Sequence, residues 1–396
     1  MKFFVWKYNP SVVNISKKKN ISFIIPSNKE KVYLENGITN IIPVKEISFN
    51  YVYEVICEQR QNKIPLDDIF TLDEECMDWV GLLKSIFIPN SNSVSDILFK
   101  DKYYMRSVVG NTVTQPKFTE LTEDKIEKIT TKDGLVKPRR ADSAKGIYHF
   151  KNKINSKKLA NSFNYISSND FLVEEFVDYD KMFTVDGYTD FKDNERFFSH
   201  EYNSKVSEYK ENKYLTIHTS SLYYNDLDKL KRLFKLSKEV LTQLCPMKGI
   251  VPFHIEWFYS TKNDKFIFTE AGKRFGGAKI PELIKESFGI DVLSEYWTIQ
   301  EGGKINTEKL NEEYLYPKIC STTYMQFQNG LKMNKELKSQ IPNLKGYSQY
   351  VPIGQTSKVA NSISDTFFSA QFCSKSVEES DFISKKINYL FDEVSE

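Results

Sequence analysis

The stretch from Pro252 to Gly277, PFHIEWFYSTKNDKFIFTEAGKRFGG, constrains this chain more than any other. Residues 251–259 and 265–271 alternate apolar with polar or aromatic side chains around the turn-forming segment STKND, which predicts a β-hairpin. With the turn centred near Asn263, antiparallel pairing sets Glu256 directly across from Glu270 on one face. Opposed side chains on such a ladder have Cβ atoms roughly 4.5–5.5 Å apart, so two carboxylates there repel unless a positive charge lies between them. A hard divalent cation such as Mg²⁺ meets that need, taking one or two carboxylates with water and phosphate oxygens completing its shell. His254 shares the face by the period of two, while Phe253, Ile255 and Trp257 point the other way, toward a core. An exposed hairpin with solvated glutamates is the competing reading, and Arg274 with the pair Gly276-Gly277, following at once, argues against it.

Length and charge narrow the classes. A chain of 396 residues is long for one simple core and predicts two or three lobes. Lys and Arg number 55 against 53 Asp and Glu, which leaves no basic excess to neutralise a nucleic-acid backbone, so nucleic acid is not expected as a partner. The N-terminal MKFFVWKYNPSVV is interrupted by Lys7, Asn9 and Pro10 before an export-signal core forms, and no apolar run approaches about 18 residues, so no membrane association is expected. Five scattered cysteines without a C-x-x-C pair fit reduced packing residues in a cytoplasmic protein.

Taken in order, residues 1–95 read as a small α/β lobe, with strands at Phe3–Val5, Ile21–Ile25 and Lys31–Leu34 and helices at Tyr51–Gln61 and Leu72–Phe87. No G-x-G-x-x-G and no Walker A loop occurs. The segment from Pro89 to Asp96, PNSNSVSD, breaks the pattern and sets the first boundary. A helix from about Val94 to Val109 carries Lys100 and Lys102. The stretch GLVKPRRADSAKGIYHF then reads strand (Leu135–Lys137), loop (Pro138–Lys145) and strand (Gly146–Phe150), the loop suited to donating hydrogens to phosphate oxygens or to serving as a plain basic surface turn. Strands follow at Phe171–Val177, Met182–Tyr188, Phe197–Tyr202 and Tyr214–Thr219, and an apolar stripe predicts a helix over Asp226–Leu244. Glu174 and Glu175, adjacent on a strand, must face opposite ways. A helical pair at Pro281–Phe288 and Asp291–Gln300 follows the hairpin, and from about Pro317 shorter strands lead to a final helix, Val377–Val394, in a tail with a structural or substrate-shaping role.

This ordered set, a lysine on a linker helix, K-P before a flexible loop, V-E-E-F-V, an H-x-E strand and E-x-x-x-R-x-G-G, resembles the ATP-grasp superfamily of carboxylate–amine ligases, which includes the L-amino-acid ligases, over about residues 95–300. The resemblance implies an α/β (α+β) fold with an N-terminal lobe (1–95), an ATP-grasp domain (96–316, its lid about 113–178) and a C-terminal subdomain with antiparallel sheet (317–396). It implies that Lys102 and Lys137 contact ATP phosphates, that Arg139, Ser143, Lys145 and Gly146 belong to a lid loop closing over them, and that Glu174, Glu175 and Val177 form a hinge reading the adenine edge. Asp180 would accept the ribose hydroxyl, Glu256 and Glu270 would hold Mg²⁺ (Mn²⁺ as an alternative), and Arg274, with Lys137, would act on the reacting carboxyl and phosphoryl groups. Three departures stand against it: Gly272 where many members carry a metal-binding Asn, a hinge about one residue longer, and a lid loop poor in glycine.

The activity implied is ligation of a small carboxylate, such as an amino acid, to an amine through an acyl phosphate, with ADP released. A nucleotide-binding protein without turnover and a ligase with a thiol or peptide side-chain acceptor are the alternatives. Oligomeric state is left open, a homodimer being one option.

Overall fold

The structure, a computed structural model, describes residues 1–10, 20–121, 133–141, 146–151, 170–205, 213–246, 249–305 and 316–395. Ser143 and Lys145 of the expected lid loop lie outside the described residues.

The first lobe is a parallel sheet. Lys2–Val5 (β1), Ile21–Pro26 (β2), Ile41–Val44 (β3) and Asp68–Thr71 (β4) stand in the order β3-β2-β1-β4, with helices Glu30–Glu35 (α1), Phe49–Gln61 (α2) and Met77–Phe87 (α3) between and after them. Two expectations change here. Lys31–Leu34 lies in α1 rather than in a strand, because a four-residue apolar run carries no period of its own, and the buried Tyr33 anchors the helix by donating its hydroxyl hydrogen to Tyr8 O at 2.9 Å. The helix expected from Leu72 begins at Met77, and the bend before it carries Glu74 into the centre of the molecule.

Val94–Lys100 (α4) and Lys102–Val109 (α5) replace the single helix read over 94–109. Asp101 is extended (φ −99°, ψ 105°), and its Oδ1 accepts from Tyr103 N and Tyr104 N at 3.0 and 3.2 Å, so a carboxylate cap ends one helix and starts the next. A second sheet, antiparallel and small, follows: Phe118–Glu120 (β5), Asp133–Pro138 (β6), Tyr148–Lys151 (β7) and Phe171–Glu175 (β8), in the order β5-β8-β6-β7 around Val136, Phe150, Phe171 and Val173.

The largest sheet is antiparallel throughout and eight-stranded. It takes Lys181–Thr189 (β9), Glu195–Tyr202 (β10), Tyr214–Thr219 (β11), Val251–Ser260 (β12), Lys265–Gly272 (β13), Cys320–Phe327 (β14), Leu344–Gln349 (β15) and Thr366–Ser374 (β16) in the order β13-β12-β9-β10-β11-β14-β16-β15. The strands after Pro317 therefore extend the sheet that carries the hairpin. Helices Leu222–Asn225 (α6), Leu227–Leu244 (α7), Ile280–Phe288 (α8), Val292–Gln300 (α9) and Val377–Val394 (α10) pack around it. The stripe read on α7 is buried at Leu230, Leu233, Val240, Leu241 and Leu244, and Trp257 Nε1 donates to Ser237 Oγ of that helix at 3.0 Å. The odd-numbered side of β12 thus faces α7, which leaves His254, Glu256 and Phe258 for the opposite side, a cleft.

Candidate active site

The hairpin sets the site through an irregularity. At its tip Ser260 pairs with Lys265 and Trp257 with Phe268, a register that would put Glu256 opposite Thr269. A bulge between Trp257 and Glu256 adds one residue on β13 and restores the pairing Glu256 with Glu270. One step of slip exchanges the faces of a strand, so without the bulge Glu270 would point into the core.

Both glutamates line one cleft of about 920 Å³ between the small sheet and the large one. Lys137, Gly146, Glu174, Glu175, Val177 and Arg274 line it as well, so eight of the residues selected from sequence meet in one cavity. Lys102 reaches it from the start of α5, with Nζ 2.9 Å from Glu270 Oε1 and donating to Ala141 O at 2.5 Å. Lys137 Nζ is bonded to Glu174 Oε1, and Arg106 Nη2 lies 2.7 Å from Glu174 Oε2, so Glu174 is a buried anchor for cations while Phe176 and Val177 beside it face the cleft. Phe176 stacks on His149 of β7 with ring centroids 4.6 Å apart, and Tyr179 stacks on Phe258 at 3.9 Å. These apolar faces wall the end of the cleft at the segment joining the two sheets.

Two residues selected from sequence are turned elsewhere. Arg139 forms a fork with Asp101 (Nε to Oδ1 2.9 Å, Nη2 to Oδ2 2.8 Å) and stacks over Tyr103 and Tyr104, so it ties β6 to α5 rather than reaching toward phosphate. Asp180 accepts from Thr261 N and Thr261 Oγ1, both at 2.7 Å, and so closes the hairpin turn; it does not line the cleft.

Two features were not read from the sequence. Glu74, from the first lobe, accepts from Arg274 Nε at 2.5 Å. Burial would raise the Glu74 carboxyl, but Arg274 and Lys102 outweigh it and hold the group down to about 2. The second feature lies under the hairpin, where Asp186 of β9 accepts at Oδ1 from His254 Nδ1 (2.6 Å) and at Oδ2 meets Thr184 Oγ1 (2.6 Å) and His200 Nδ1 (3.2 Å). Burial works to lower His254, and Asp186 overrides it, raising the imidazole to about 9; the charged ring then lies 3.3 Å from Glu256 Oε1. A lone charged residue inside the strand MFTVDGY was the signal for this pair. Gly276, read from the sequence as one of a glycine pair, lies against this carboxylate and imidazole: a Cβ there would come within 2.5 Å of Asp186 Oδ1 and 2.9 Å of His254 Nδ1, so a larger residue must displace them.

Glu270 is pushed up by burial and by the charges of Glu74 and Glu256, against the pull of Lys102. Three carboxylates thus share a buried space with two basic side chains, and the two that face each other across the ladder are hard oxygen donors. Glu256 and Glu270 fit such an ion. Gly272 gives no further ligand, and a Cβ there would only touch the Arg274 stem, at 3.4 Å from Cγ.

No protein-family model and no curated protein sequence matches the chain. Solved structures do. L-amino acid ligase from Bacillus licheniformis superposes with a TM-score of 0.75 at 16% identity over 100% of this chain and 97% of that one. N5-carboxyaminoimidazole synthase from Aspergillus clavatus, in complex with ADP and 5-aminoimidazole ribonucleotide, gives 0.68 at 10% identity over 99% of each chain. N5-carboxyaminoimidazole ribonucleotide synthetase from Thermotoga maritima gives 0.68 at 14% identity over 100% of this chain and 98% of that one. With its parallel first sheet, its small antiparallel sheet and the large sheet that faces it across the cleft, the chain has the ATP-grasp fold.

Proposed function

We propose that this protein is an ATP-dependent ligase that joins a carboxylate to an amine and releases ADP and phosphate. The observation that carries the proposal is the placing of two facing carboxylates, Glu256 and Glu270, among Lys102, Lys137 and Arg274 in a cleft with an apolar, aromatic end. In this reading the adenine enters between Phe176, His149, Tyr179 and Phe258, its edge toward the backbone of Glu175–Val177. The phosphates extend toward Lys137 and Lys102. A divalent cation held by Glu256 and Glu270, Mg²⁺ or Mn²⁺, would supply charge neutralisation to the phosphate oxygens.

An oxygen of the substrate carboxylate attacks the γ-phosphorus; the bond to the β-γ bridging oxygen breaks and its electrons leave with ADP. The amine nitrogen then attacks the acyl carbon, the carbonyl carbon–oxygen bond to phosphate breaks, and the proton lost from nitrogen leaves with the phosphate. Transfer of this kind depends mainly on positioning and on neutralising charge, so no side-chain nucleophile is required. Arg274 suits both steps because its planar fork binds carboxylate or phosphate oxygens in pairs, and burial does not discharge it: Glu74, Glu256 and Glu270 keep its affinity for the proton above the ordinary value. Glu74 orients that guanidinium from the neighbouring lobe.

A screen of acids crossed with amines, read by ADP release, tests the reading. Arg274→Ala should lower turnover by about 10²–10³ with the far-UV spectrum unchanged. ATP binding without Mg²⁺-dependent ADP formation over the whole panel would instead support a nucleotide-binding protein without turnover, the reading that Gly272 favours.

A further inference from the structure

The cleft is uneven in charge. Its charged lining residues come from the first lobe, the small sheet and the hairpin with the segment after it. Across the large sheet, beyond β9 and β10, the lining changes. Leu215 and Ile217 of β11, Thr323 and Met325 of β14, Ser369 of β16 and Ile363 before it are all uncharged, and among the described residues every cleft-lining side chain from these strands and from 350–364 is uncharged. The register makes them one surface: Ile217 pairs with Thr323 and Leu215 with Met325, and Met325 pairs in turn with Ser369.

Two neighbouring polar groups, Thr323 in this surface and Gln371 beside it, have no hydrogen-bond partner among the described residues. Thr323 is 1% exposed and its Oγ1 is unpartnered; directly across the ladder Gln371 is 8% exposed and its Nε2 is unpartnered. Buried polar atoms are nearly always bonded, and the exception at Thr323, which lines the cleft, points to a group that arrives from outside. A charged group arriving there would lose its hydration and find no counter-charge.

We infer that this wall is the specificity pocket of the cleft and receives an uncharged substrate moiety, aliphatic over most of its length and ending in a neutral hydrogen-bonding group, a carboxamide or hydroxyl, that reaches Thr323. The inference rests on the ligation reading for the chemistry at the other end of the substrate. It is tested by binding, which needs no turnover.

The full-length protein saturated with Mg²⁺ and ADP is titrated calorimetrically with glutamine, glutamate and methionine, three probes with side chains of similar length. Glutamine should bind, glutamate at least 100-fold more weakly, and methionine about tenfold more weakly than glutamine. Thr323→Val, nearly isosteric, should remove the difference between glutamine and methionine, and Thr323→Ser should restore it. Glutamate binding as tightly as glutamine, no binding of any probe, or an unchanged difference in Thr323→Val would each overturn the pocket. ADP release is followed in parallel with added amines. Neutral probes that bind but never yield ADP would sink the ligation reading and leave the pocket standing.

Discussion

Glu74 is the residue whose role depends most on the three-dimensional arrangement, since 200 positions separate it from the Arg274 it holds. Its carboxyl is depressed from an ordinary 4.5 to about 2. A depressed acid contributes stability that is present above its unfolded value and lost as the pH falls through the folded one. The Glu74–Arg274 contact should therefore weaken between about pH 4.5 and 2, with roughly 3 kcal/mol at stake. Urea unfolding against pH checks this: Glu74→Gln should flatten that acid limb, and an unchanged limb would remove the contact from the account. Asp180 gives the opposite kind of prediction. Because its carboxylate is bonded to Thr261, Asp180→Ala should leave the ATP dissociation constant within about twofold while slightly lowering the melting temperature. A tenfold loss of ATP affinity would return the ribose to Asp180.

At the scale of elements, the bulge in β13 and the glycine after it decide whether the acids meet. Gly276→Ala puts a methyl group against the Asp186–His254 pair, and stability should fall by about 1–3 kcal/mol together with turnover, measured by thermal unfolding and ADP release. A variant as stable and active as the wild type would show that the pair tolerates displacement. Sequence pattern made much of this element legible: alternation located the hairpin, and the facing of Glu256 with Glu270 followed from a turn centre placed near Asn263. The actual tip is centred half a residue earlier, and the bulge compensates, a feature that alternation cannot reveal. Long amphipathic helices such as α7 and α10 were legible because their stripes repeat over several turns. Several short elements were not. β3 and β4 hold four residues each, α1 six, and Asp101 breaks a pattern whose period continues through it. The partners of Arg139 and Asp180 were hidden for a related reason: Asp101 and Thr261 are brought to them by tertiary contacts that no local spacing encodes.

At the scale of the molecule, the site is assembled from pieces that are each incomplete. The first lobe brings Glu74, the small sheet brings Lys137 and Glu174, the segment after the hairpin brings Arg274, and the large sheet brings Glu256 and Glu270, with a wall of uncharged side chains on its further strands. Ligand binding across such a junction stabilises the folded state by mass action, so Mg²⁺ with ADP should raise the melting temperature of the wild type far more than either alone. In Glu270→Gln the synergy should vanish, and the ligand-free variant should be at least as stable as the wild type, since one of three crowded carboxylates has been neutralised. The most direct measurement is a titration of Mn²⁺ in the presence of ADP, followed by electron paramagnetic resonance of the free ion. The wild type should take up Mn²⁺ at a site that Glu256→Gln and Glu270→Gln each weaken by at least tenfold, and Mn²⁺ binding unchanged in both variants would contradict the claim that these two facing acids hold the cation.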